Sequence, residues 1–344
     1  MTKKLRHFPE MDALLECTQE AVHLGRVREE ASIDYKSHTF PIFSIEFGPQ
    51  DKVCPTLVFV GGVHGLERVG TEVVLSYLRS FMKLLKWDHL TQSMMEHCRL
   101  VFYPIANPVG MFLNTRANGR GVDIMRNSTI KAKKLRLPLV GGHRISPILP
   151  WFRGWKGQQE LETIALINLM KKFISKSPFL ISLDVHSGFG LVDRLWFPFA
   201  SSLDMFPDCH RIYRLKKNLD QTYPQHIYKI EPQSINYTAH GDIWDQLYLA
   251  ERQQKDGIFL PLCLEMGSWA WIRKNPRQLM SSMGMFNPIL PHRLKRTQRR
   301  HIPLFDFLLR SLNSTKNWAF MEDDEERYYL HKAKELWYPP HKVG

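Results

Sequence analysis

Residues 55–67 read PTLVFVGGVHGLE, and the order of their parts decides the fold. Leu57 to Val60 form an unbroken apolar run, the pattern of a strand buried on both faces of a sheet. Two glycines end the run. A helical spacing follows, with Val73, Val74, Tyr77, Leu78, Phe81 and Leu85 on one side of a helix expected from Val69 to about Leu85. A buried strand running into an amphipathic helix is the building unit of a parallel sheet covered by helices.

The same alternation extends outward in both directions. PIFSIEFG (41–48) precedes the unit, and RLVFYPIAN (99–107), a helical spacing over 161–174, FLISLDVHS (179–187) and IFLPLCLEMG (258–267) follow it, with a last helix around 304–312. Pro108 to Pro150 reads as irregular, and the region up to about Lys255 as mixed. The chain is therefore expected to be α/β, a mixed, mainly parallel twisted sheet with helices on both faces. The apolar spacing of Met11, Leu14, Leu15, Ala21 and Val22 predicts a helical N-terminal cap over residues 1–35. One catalytic domain over 36–315 and a charged, aromatic tail over 316–344 complete the expected organisation, since no internal repeat or linker divides the chain.

With 344 residues, 44% hydrophobic and 24% charged, the chain is too apolar and too varied for a disordered, collagen-like or low-complexity protein. It lacks a run of about 18 apolar residues, which excludes a helical membrane span. Glu10, Asp12, Glu16 and Glu20 interrupt any signal-peptide core near the start. Five scattered cysteines, with no C-x-x-C pair, argue against a disulfide framework and a cysteine zinc site, so a reducing cytoplasm is expected. The formal charge of +13 is densest from His292 to Arg300, but without interleaved aromatics this run reads as a solvated helix face rather than a nucleic-acid surface.

Chemistry concentrates at strand ends. His64 and Glu67 stand three residues apart where the strand of 55–62 turns into its helix. On their own they are a weak signal, more readily read as a helix-start glutamate beside an unrelated histidine. His186 closes a second buried strand, and open α/β sheets bind ligands beyond the carboxyl ends of their strands. Two imidazoles and a carboxylate make a His₂Glu zinc set that leaves a position for water. Glu265 ends a third apolar run, where a carboxylate is costly without a partner or a task.

These features resemble the zinc carboxypeptidase family, in its bacterial-type cytoplasmic branch, from about Pro41 to Phe307. NPVGMFLNTRANGRGVDIMRN (107–127) is similar to the family pattern N-P-x-G followed by R-x-N-x-x-G-V-D-x-N-R-N. The resemblance implies one zinc per chain held by His64, Glu67 and His186, with Glu265 as general base and Arg116 polarising the scissile carbonyl. It further implies that Arg126 and Asn127 bind the substrate carboxylate. In NYTAHGDIWDQLY (236–248) it marks Tyr237 as a substrate-capping tyrosine, and it puts Trp244 where the specificity pocket is shaped. Met125 departs from the pattern, which has asparagine there, so one amide donor to a substrate carboxylate is missing.

The activity so implied is hydrolysis of a C-terminal peptide bond by zinc-activated water. The runner-up is a zinc deacylase or amidase of the same superfamily acting on N-acyl amino acids or cell-wall peptides, and a third reading is a non-catalytic basic binding protein. Substrates are accordingly a peptide or an acyl amino acid, with no nucleic-acid or membrane partner expected. Blander readings accompany several residues: Asp123 and Arg126 as a buried ion pair, Tyr237 as an amphipathic surface tyrosine, Asp184 as a strand-end acceptor, and His240 as a residue that only orders its loop. Side-chain specificity and oligomeric state are not legible.

Overall fold

A computed structural model describes residues 8–252 and 257–339. Its strands are β1 (Arg26–Tyr35), β2 (His38–Phe47), β3 (Thr56–Gly61), β4 (Arg99–Tyr103), β5 (Phe179–Ser187), β6 (Arg194–Phe197), β7 (Lys229–Pro232) and β8 (Ile258–Met266). They form one sheet in the order β1-β2-β4-β3-β5-β8-β6-β7. The central pairs β4–β3, β3–β5 and β5–β8 are parallel, while β1–β2, β2–β4 and β8–β6 are antiparallel. Every residue of β3, β4 and β5 is buried, which requires cover on both faces and explains the unbroken apolar runs.

The helices are α1 (Pro9–Ala21), α2 (Arg68–Trp87), α3 (His89–His97), α4 (Pro108–Leu113), α5 (Leu161–Ile174) and α6 (Cys209–Thr222). After them come α7 (Ile243–Arg252), α8 (Trp269–Lys274), α9 (Ser282–Phe286), α10 (Pro291–Asn313) and α11 (Asp323–Trp337). α2 and α10 pack together over the central strands, where Phe305 stacks on Phe59 with ring centroids 4.3 Å apart. α5 and α7 pack on one another and against β5 and β8 respectively.

Three regions differ from expectation. The cap expected over residues 1–35 is helical only from Pro9 to Ala21, residues 26–35 being strand β1, and residues 1–7 lie outside the described residues. β1 is an edge strand with no fully buried position, so its charged sequence RVREEASIDY lacks the apolar alternation that marks a strand. The last expected helix begins at Pro291 rather than near 304, because its basic first half contributes only Thr297 and His301 to the interior. Much of the expected tail is helix α11, which packs on α6 and buries Tyr329, Ala333 and Trp337, while residues 340–344 lie outside the described residues.

The parallel strands β3, β5 and β8 end on the same edge of the sheet, and register pairs His186 directly with Glu265. Gly65 allows the turn between His64 and Glu67 to lie against the start of α4, since a Cβ there would come within 2.0 Å of the Gly110 backbone. Sheet topology and one close backbone approach thus bring residues far apart in sequence to a single edge.

Candidate active site

His64, Glu67 and His186 converge so that one ligand atom from each lies within 4.8 Å of the others. All three are buried. Glu67 ends the turn that starts α2, and its Oε2 accepts from the Ser187 backbone N–H at 3.0 Å and sits 3.1 Å from His186 Nδ1. On the other side of that ring, Nε2 lies 2.7 Å from Asp184 Oδ2, close enough for an ion pair although not aligned as a hydrogen bond. Asp184 in turn accepts from Trp244 Nε1 at 2.9 Å, so the imidazole is oriented by a fixed carboxylate.

The residues fit a zinc ion on their own chemistry. Two nitrogens and a carboxylate oxygen are the donors of a catalytic zinc site, and the buried His64 Nδ1 has no hydrogen-bond partner among the described residues. Burial, then the Arg116 cation, holds His64 well below the usual histidine range and so in the neutral form that ligates metals. For His186 burial acts in the same direction, but the carboxylates of Asp184 and Glu67 outweigh it and raise the group well above that range.

Arg116 links the cluster to the loop of 107–127. Its Nη1 donates to Glu67 Oε1 at 3.2 Å, its Nη2 is 2.7 Å from His64 Nε2, and its Nε donates to Asp123 Oδ2 at 2.9 Å. Asp123 also receives Arg126 Nη1 at 3.4 Å and lies 3.7 Å from His64. The ion-pair reading of Asp123 and Arg126 therefore describes a contact that is present, and the pair is part of the site's wall. Gly241, at φ +72°, lets the following loop close on the Arg126 carbonyl, which a Cβ would approach to 1.8 Å.

A cavity of about 470 Å³ opens beside this cluster. It is lined by His64, Glu67, His186, Glu265, Arg116 and Arg126, and Met125, Tyr237 and Trp244 also face it. Glu265 is almost fully buried, and burial followed by the Glu67 charge pushes its carboxyl up to about 8. Tyr237 lies against Trp196 and Phe189, and the Arg126 guanidinium is 6.0 Å from its ring.

One expected residue sits differently, and His240 sits as its loop-ordering reading has it. Asn127 does not line the cavity: its amide donates to the Arg153 carbonyl at 2.8 Å and its oxygen accepts from Glu160 N–H at 2.6 Å, so it holds the loop together. His240 accepts from Ala132 N–H at 2.8 Å and orders its loop. Residues the sequence reading passed over also line the cavity, among them Asp242, Phe189 and Phe286. They come from irregular connections, where no periodicity marks a wall.

The donor set fits the chemistry of a zinc-binding peptidase family. More narrowly, the chain belongs to the zinc carboxypeptidase family, whose model matches residues 32–274. A stretch of 99 residues is 31% identical to carboxypeptidase SOL1 of Arabidopsis thaliana, covering 28% of this chain and only 20% of that protein. The fold is similar to carboxypeptidase A from Helicoverpa armigera, with a TM-score of 0.66 at 16% identity over 90% of this chain and 74% of that one. It is also similar to thrombin-activatable fibrinolysis inhibitor, with a TM-score of 0.65 at 14% identity over 88% of this chain and 72% of that one. Among the described residues no helix is long and apolar enough to cross a membrane.

Proposed function

We propose that the protein is a metallocarboxypeptidase that hydrolyses the C-terminal amide bond of a peptide. The observation that carries this reading is the cavity where the His64–Glu67–His186 cluster, Glu265, Arg116 and Arg126 meet. His64, Glu67 and His186 would hold one zinc ion. When bound, zinc polarises a carbonyl and acidifies water. Glu265 takes a proton from the attacking water and later delivers it to the departing nitrogen. Arg116 faces the oxygen on which negative charge develops, where a fixed cation contributes most. Arg126 pairs with the terminal carboxylate, and Tyr237 covers the bound end of the substrate from the aromatic wall.

Met125 supports a second reading. It faces the cavity beside Arg126 with a thioether where an amide donor would strengthen carboxylate binding. A deacylase or amidase of the same superfamily, acting on N-acyl amino acids or cell-wall peptides, needs that donor less. All five cysteines are unpaired, which supports a reducing, cytoplasmic setting.

The test is a panel of peptides offered with free and with amidated C-termini, together with N-acyl amino acids. Release of the terminal residue from the free peptides, stopped by a chelator and restored by zinc, is the expected result. Turnover confined to acyl amino acids or amides selects the second reading. Activity that survives complete metal removal overturns both.

A further inference from the structure

Between Met266 and Phe305 the chain carries eight lysine and arginine residues and not one aspartate or glutamate. The segment folds as α8, a short 3₁₀ helix (Pro276–Met280), α9 and the first half of α10. Arg273, Lys274 and Arg277 are exposed there. Large apolar side chains stand among them in solvent: Met280 is 90% exposed, Leu279 59% and Trp269 52%. Trp269, Leu279 and Met285 gather with Arg273 around a groove of about 410 Å³.

This unit is braced. The buried Gln278 amide donates to the carbonyls of Gly284 and Asn287 at 2.8 and 3.0 Å, which closes the 3₁₀ helix onto α9. Asn287 donates to the Leu66 carbonyl at 2.7 Å and accepts from Val69 N–H at 2.9 Å, so the unit is anchored on the turn that carries Glu67. Gly188, Met285 and Phe286 line both the groove and the catalytic cavity.

Exposed apolar side chains clustered on a fixed surface mark an interface, and the charge around them restricts what covers it. A second copy docking by the same face would set its cations against each other. Nucleic acid matches the charge but gives Leu279 and Met280 no apolar medium, and an acidic protein would need a shaped hole for each projecting side chain. An anionic bilayer supplies phosphate headgroups for the cations and yielding hydrocarbon beneath them, with tryptophan favoured at the boundary. No membrane partner is expected from the sequence alone, because packing decides which apolar side chains stay exposed.

We infer that this face docks on an anionic membrane surface, with Leu279 and Met280 entering the interface among the side chains of Arg273, Lys274 and Arg277. The catalytic cavity then borders the bilayer, whichever amide it cleaves.

The experiment sediments the zinc-loaded full chain with vesicles of phosphatidylcholine alone and of equal parts phosphatidylcholine and phosphatidylglycerol. Selective binding to the mixed vesicles is expected, and it should weaken steeply between about 0.1 M and 1 M salt as the screening length falls from about 10 to about 3 Å. The triple variant R273Q/K274Q/R277Q should lower the partition coefficient about a hundredfold, at about fivefold per surface cation. Leu279→Ser combined with Met280→Ser should lower it about tenfold or more, through the apolar area no longer buried. Both variants should keep the wild-type zinc content and melting temperature, which shows them folded. No binding to the mixed vesicles, equal binding to the neutral ones, or a wild-type partition coefficient in either variant overturns the inference. Full release from the vesicles by an equal charge of polyglutamate or duplex DNA overturns it too, and assigns the face to an acidic macromolecule.

Discussion

Glu265 shows how one residue acquires a task from its surroundings. It ends an apolar strand, pairs in register with His186, and is held up to about 8 by burial and the Glu67 carboxylate. In the proposed mechanism the group moves a proton and does not hold the metal. Glu265→Gln should therefore retain stoichiometric zinc while kcat falls by about a hundredfold or more, since an amide of the same shape cannot accept and return a proton. Metal content and kcat on the same preparation check this. A variant with near wild-type kcat removes Glu265 from the chemistry. At this scale His64, Glu67, His186 and Glu265 were legible because polar groups closing apolar runs stand out. The placement of Asn127 was not legible, because its neighbour Arg126 lines the cavity while its own amide turns to the backbone of 153–160.

Among the elements, α10 carries an internal histidine whose environment has a measurable consequence. His301 is 1% exposed, its Nδ1 is 2.9 Å from the Tyr228 hydroxyl, and burial lowers it to about 4 despite the attraction of Asp193. A histidine whose folded value lies below its unfolded value of about 6.5 stabilises the fold fully above that pH. The contribution is lost as pH falls from about 6.5 towards 4, because the unfolded chain binds the proton more readily. About 2–3 kcal/mol should be lost by about pH 4.5 on this account. Urea midpoints of the wild type and of His301→Gln, compared at about pH 7.5 and pH 4.5, read the difference, and parallel losses in both proteins would contradict it. The element boundaries that sequence reading missed share one cause. β1 and the first half of α10 bury few of their side chains, so no apolar period marks where they begin.

For the whole molecule, the metal cluster joins the turn after β3 to the end of β5, so metal binding is coupled to the folded arrangement of the sheet. A ligand bound only by the folded chain stabilises it by about 2.7 kcal/mol at a hundred times its Kd. Chelation should lower the melting temperature by several degrees, zinc should restore it, and His186→Ala should show neither response in thermal scans. A wild-type melting temperature indifferent to both treatments would rule out the cluster as a metal site. The apolar runs and the strand-helix alternation by themselves determined the mixed, mainly parallel sheet, because a strand covered on both faces has no polar position to spare. They also determined which strand ends carry chemistry, and the order of motifs through Arg126 marked the family. The tertiary structure alone decided what surrounds those ends. Register set His186 against Glu265, the Gly241 turn closed the Asp242 loop on Arg126, and irregular segments from distant parts of the chain built the wall of the cavity. Such contacts carry no period in the sequence, because each depends on where another segment happens to pack.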